Sequence, residues 1–111
     1  KQAVEALIKK GIPFDAIFCF TEMSALGAKS CLQRYNYHIP EEVAICCISG
    51  TELCMLVHPS VTTVEQPVML MAEEASRLIM EKIENFSVAD ETVILEAEMV
   101  VRGSTLPLTS L

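Results

Sequence analysis

The chain is 111 residues long and 51% hydrophobic, with a formal charge of −7 and an isoelectric point near 4.7. That length suits one domain whose core is built from aliphatic side chains and six methionines, since tryptophan is absent. The acidic balance excludes this segment from gripping a phosphate backbone, because counterion-release binding needs clustered Lys and Arg. No stretch has the length and apolarity of a membrane span.

Five cysteines, Cys19, Cys31, Cys46, Cys47 and Cys54, form neither an even framework nor a C-x-x-C pair. They read as reduced, small apolar residues of a cytoplasmic protein. Adjacent Cys46 and Cys47 on a strand face opposite sides of the sheet.

Gln2 to Lys10 reads as a helix with Val4, Leu7 and Ile8 as its apolar stripe, a Glu5–Lys9 pair and a stop at Gly11. Ala16 to Phe20 is a continuous apolar run, which predicts a strand covered on both faces, as in a parallel sheet. Thr21 then caps a helix running from about Glu22 to Tyr35, and Glu22 complements the positive end of its dipole. Ala25, Ala28, Leu32 and Tyr35 line one face of that helix, while Met23, Leu26 and Cys31 widen the apolar surface. So broad a surface predicts a second contact beyond the helix's own sheet, in a dimer or in a larger domain.

Asn36 to Pro40 breaks the chain, and Val43 to Ile48 (VAICCI) repeats the pattern of a doubly covered parallel strand, ending at Ser49-Gly50-Thr51. In open α/β sheets ligands bind at the carboxyl ends of neighbouring strands. Thr21-Glu22 and Ser49-Gly50 are therefore expected at one crevice. Glu52 to Val57 suits a short helix, and Val61 to Gln66 is extended and β-branched. Pro67 opens a helix to about Asn85, with Ala72, Ala75, Ile79 and Ile83 on one side and a Glu73–Arg77 pair. Thr92 to Val101 alternates as a strand with one solvated face. His38 and His58 have no acidic or thiol neighbour at ligand spacing and read as loop histidines. The chain opens on a helix with no strand before it, so it reads as a piece of a larger α/β domain.

Four stretches carry a family resemblance. Asp15-Ala16-Ile17-Phe18 through Ala25-Leu26-Gly27-Ala28 matches a strand and helix with an A-x-G-A core. Ile39-Pro40-Glu41-Glu42-Val43 matches "(V/I)P-E/D-D-V", and Pro59-Ser60-Val61-Thr62-Thr63-Val64-Glu65-Gln66-Pro67 matches "P-x-L-T-T-V-x-Q-P". Val100-Val101-Arg102-Gly103-Ser104 matches "L-V-x-R-x-S". In this order and spacing they resemble the C-terminal end of the lactose-repressor (LacI/GalR) family of bacterial transcription regulators.

The resemblance implies a partial, type I periplasmic-binding-protein-like fold: a Rossmann-like parallel α/β sheet with flanking helices. It implies an effector-sensing, dimerising portion of a DNA-binding regulator, with operator DNA held by a helix-turn-helix outside this chain. The implied effector is a sugar, sugar phosphate or nucleobase. Residues 1–65 would belong to the C-terminal lobe, 66–101 to the N-terminal lobe, and 102–111 to the final crossing and tail. Gln66 and Arg102 would be hinge residues. Separated from the remainder, such a piece is expected to form an intertwined or face-to-face oligomer.

Family members commonly place Asn-Asp and Asp where this chain has Thr21-Glu22 and Ser49-Gly50. Thr21 and Ser49 each retain two readings, effector contact or a cap and turn role. Glu22 fits the helix start better. The alternative function is a fragment of a periplasmic solute-binding protein, which shares the two-lobed fold. No nucleophile elbow, P-loop or G-x-G-x-x-G occurs, so neither catalysis nor a cofactor nor a metal is expected.

Overall fold

A computed structural model of the chain describes residues 2–50 and 52–105. The expected tail beyond Thr105 therefore lies outside the described residues, as does Thr51. The elements run α1 (Gln2–Lys9), β1 (Ala16–Cys19), α2 (Glu22–Arg34), β2 (Ala44–Ile48), α3 (Leu53–Leu56), β3 (Thr62–Glu65), α4 (Val68–Glu84) and β4 (Glu98–Val100). The strands lie in the order β1-β2-β3-β4, with β1–β2 and β2–β3 parallel. By contacts the chain falls into two compact units, one made of the residues through Glu65 with those from Met99 on, the other of Gln66–Glu98.

In the first unit each helix is tied down by chemistry visible in its own residues. Glu5 pairs with Lys9 at 2.8 Å and also accepts the Tyr35 hydroxyl at 3.1 Å, which links α1 to α2. Gly11, at φ +66°, lets the backbone turn back so that its N–H reaches Ile8 and the Ile12 N–H reaches Leu7. Asn36, in the same left-handed region, closes α2 while the Tyr37 N–H returns to Leu32. Ala25, Ala28, Cys31 and Leu32 of α2 are buried against Ile45 and Cys47 of β2 and Cys19 of β1. Burying a leucine such as Leu32 contributes about 1.5–3 kcal/mol. Lys29 was not expected in this interface; its ammonium is buried and donates to the His58 carbonyl at 2.6 Å, tying α2 to the loop before β3. Burial pushes its pKa down.

The sheet departs from expectation on its second face. Ile17, Cys19, Ile45 and Cys47 lie toward the helices, but Phe18 is 62% exposed and Phe20 79%. A continuous apolar run requires only that both faces be apolar; whether both are covered depends on neighbouring elements. Here α1 and α2 cover one face, and β1 lies at the sheet edge. The two adjacent cysteines divide as expected, with Cys47 fully buried and Cys46 half-buried on the other face.

The last strand is shorter than its alternation suggests: Glu98–Val100 in place of Thr92 to Val101. Alternation sets which side chains share a face, but a strand forms only where a neighbour supplies its ladder. In the second unit, Arg77 pairs with Glu74, Glu81 and Glu91 at 2.8–3.3 Å, and not with Glu73. The loop after α4 brings Glu91 to that side of the helix and draws the guanidinium with it. The helix spans 17 residues, yet none of them is buried. Ile79 and Ile83 of its expected apolar stripe face solvent.

Candidate functional site

The carboxyl ends of the three parallel strands come level at one edge of the first unit. The register pairs Cys19 with Cys47 and Ile48 with Val64. Continuing it by two residues and by one brings Thr21, Ser49 and Glu65 into a single row. The pleat that puts Cys19 and Thr63 on the helix-covered side carries Thr21 and Glu65 to that side, whereas Ser49, at φ +63°, leaves the pleat and stays in the row through its N–H bond to Val64.

Thr21 is extended (φ −132°, ψ 155°), and its hydroxyl oxygen accepts the Ser24 N–H at 3.2 Å, so it caps α2 as expected. It also bonds the Ser24 hydroxyl at 2.9 Å and is exposed. Glu22 lies just inside the helix and is buried. Its Oε1 accepts the Cys54 N–H at 3.0 Å, which fixes the start of α3 beside α2. Glu22 is thus a structural carboxylate, turned inward. Burial, and then the Glu22 carboxylate beside it, push the Cys54 thiol up to about 12, and burial also raises Cys47. Both thiols stay protonated and inert near neutral pH.

Ser49 is exposed at φ +63°, a conformation costly for a residue with a Cβ, and its N–H donates to Val64 at 2.9 Å. Gly50 has a packing reason to be glycine: a Cβ there would overlap the buried Thr63 side chain. Among the described residues no group of three His, Cys, Asp or Glu could hold a metal ion. His38 does have an acidic neighbour, contrary to the reading from spacing: its Nδ1 lies 2.7 Å from Glu42 in an exposed i,i+4 pair. The backbone turn of the Pro40 segment closes this pair, and Glu42 also accepts the His38 backbone N–H at 2.7 Å.

Arg102, expected at a hinge, is the centre of a clasp. Its guanidinium donates to the Val61 carbonyl at 3.0 Å, to Thr63 Oγ1 at 2.5 Å and to Glu65 Oε1 at 2.7 Å. Its backbone N–H donates to Thr62 Oγ1 at 2.8 Å. Two residues on, fully buried Ser104 sits between β2 and β3. Its Oγ donates to the Ile45 carbonyl and accepts the Thr62 N–H at 2.8 Å, while its own carbonyl accepts the Ile45 N–H. The R-x-S spacing of the last motif is therefore a clasp on the first unit's sheet. Gln66, the other expected hinge residue, opens the second unit and is exposed. With Pro67, Met71, Val93 and Leu95 it lines a shallow apolar pocket within that unit.

Sequence reasoning passed over Glu65. The Arg102 hydrogen bond holds its carboxyl below the usual carboxylate range, with Thr63 adding to the effect. The signal was present in register: Glu65 stands one residue before Gln66 in a motif already singled out.

The model of the periplasmic binding protein-like domain matches residues 1–105. The HTH-type transcriptional repressor CytR of Escherichia coli is 29% identical over 96% of this chain and 31% of its own length. The HTH-type transcriptional regulator MalR of Streptomyces coelicolor is 32% identical over 93% of this chain and 29% of its own length. Among solved structures, a putative LacI-family regulator from Sanguibacter keddieii superposes with a TM-score of 0.85 at 30% identity, covering 93% of this chain and 39% of that one. A complex of the regulator CelR with cellobiose gives 0.86 at 27% identity, over 93% and 32%. The chain spans about a third of the length of these relatives. The sheet, its motifs and these likenesses agree: the chain belongs to the periplasmic binding protein-like domain family, with LacI-family transcription regulators as its relatives.

Proposed function

We propose that the chain is the effector-sensing and dimerising portion of a cytoplasmic transcription regulator whose DNA-binding head lies outside these residues. The observation that supports this best is the level row of strand ends at Thr21 and Ser49, at the sheet edge where open α/β folds take ligands. In this reading Thr21, Ser49 and Gly50 form the effector edge, with Gly50 making room for Thr63 and Glu22 bracing the start of α2. The first unit belongs to one lobe and Gln66–Glu98 to the other, with Gln66 and Arg102 at the crossings. α2, which exposes Met23, faces a second copy. The effector is a small polar molecule; CelR in complex with cellobiose supports a sugar.

The test uses the full-length regulator. Calorimetric titration with sugars, sugar phosphates and nucleosides finds the effector, and anisotropy with a fragment of its own promoter reads operator release. Thr21→Ala and Ser49→Ala should each weaken effector binding about tenfold, equivalent to roughly 1.4 kcal/mol. Operator affinity without effector should stay unchanged. An effector affinity untouched by both substitutions would place the site elsewhere.

A further inference from the structure

The effector edge as first read has hydroxyls but no open carboxylate. Glu22 is spent on the Cys54 N–H and is buried. Thr21 and Ser49 offer short hydroxyls, which bind single groups but cannot take a pair of neighbouring hydroxyl donors as a carboxylate does. Glu65 completes the row. The two hydrogen bonds to its side chain, from Arg102 Nη2 at 2.7 Å and Thr63 Oγ1 at 3.2 Å, fall on the same oxygen, Oε1. The side chain is 41% exposed while Arg102 is only 13% exposed, so the pair shows its acid to solvent and hides its base.

We infer that Glu65, anchored through Oε1, presents Oε2 as the carboxylate acceptor of the effector edge and selects an uncharged, hydroxyl-rich ligand over its phosphate ester. The inference rests on the effector-edge reading above and deepens it.

Three observations drive the choice. A carboxylate held by one oxygen keeps its position without rotamer loss on binding, which favours a directed acceptor. The Arg102 guanidinium is only 13% exposed and turns its donors inward to Val61, Thr63 and Glu65, so it is poorly placed to meet an incoming anion. Glu65 shows its open carboxylate oxygen to solvent in a chain of net charge −7, which disfavours a phosphate group. A vicinal diol has two O–H donors and no charge, and it meets Oε2 and the Ser49 hydroxyl without that repulsion.

The experiment is calorimetry on the full-length protein with glucose, cellobiose and lactose, and with glucose 6-phosphate and lactose phosphate as charged counterparts. Wild type should bind at least one neutral sugar, and its phosphate ester at least tenfold more weakly. Glu65→Gln, which keeps the shape and one acceptor, should lose about tenfold for the neutral sugar and narrow the gap to the ester. Glu65→Asp should retain the preference for the neutral sugar at reduced affinity, a rescue that a purely structural pair would not show. Tighter binding of the ester, unchanged affinities in Glu65→Gln, or no binding of any neutral sugar overturns the inference. If Ser49→Ala weakens binding while Glu65→Gln does not, the edge stands and the role of Glu65 falls. If neither substitution matters, the edge itself is misplaced.

Discussion

Single side chains at the strand ends carry unequal burdens. Ser104 satisfies two buried backbone groups at once, the Ile45 carbonyl and the Thr62 N–H. Ser104→Ala removes both partners and leaves them buried, where an unmade hydrogen bond costs about 1–3 kcal/mol. Urea unfolding should show a loss of that size with an unchanged slope, and a loss below about half a kcal/mol would mean that water replaces the hydroxyl. Ser49 carries the opposite burden, because its left-handed backbone is strained at a candidate contact. Ser49→Gly relieves that conformation and should raise stability by up to about 1 kcal/mol while weakening effector binding, the trade expected of a strained functional residue. Gly50→Ala moves the other way: its new Cβ meets a threonine pinned by Arg102, and overpacking of this kind costs about 1–3 kcal/mol.

At the scale of elements, β3 and the segment after β4 are joined by the Arg102–Glu65 pair, and this clasp responds to acid. The folded-state pKa of Glu65 lies below its usual 4.5, so the pair's contribution is present above that value and is lost as pH falls through the lower folded one. The difference in unfolding midpoint between wild type and Glu65→Gln should therefore be largest near neutral pH and shrink as the solution is made more acid than the usual carboxylate range. A difference independent of pH would show that Glu65 acts by packing alone. The clasp also shows how far the sequence could be read. The helices and three of the strands followed from periodicity, caps and Gly11, all local signals, whereas the place of β3 beside β2 appears only in the sheet. The R-x-S motif pointed to the right residues but not to their partners, because Ser104 meets Ile45 fifty-nine positions away. Glu65 was missed for the same reason: its place beside Thr21 and Ser49 exists only in the sheet register. Residues 92–101 alternate throughout yet form strand only at Glu98–Val100, because alternation alone says nothing about a hydrogen-bonding neighbour.

At the scale of the molecule, apolar surface outruns the elements available to cover it. Phe18 and Phe20 face solvent from the sheet edge, and α4 exposes Met69, Leu70, Ile79 and Ile83 while burying no residue. Helices of this length draw most of their stability from a packed apolar face, so α4 in the isolated 111-residue chain needs a cover to persist. Its ion pairs around Arg77 are exposed and screened by salt, and do not replace that cover. The chain taken alone should therefore self-associate, and far-UV ellipticity should grow with protein concentration alongside the sedimentation coefficient. Substituting Ile79 and Ile83 by Glu removes the apolar stripe without touching Arg77, and should return the α4 contribution to that of a frayed helix at every concentration. A monodisperse monomer whose ellipticity is constant with concentration, and whose melt stays sharp in the double variant, would mean that α4 holds itself without a partner.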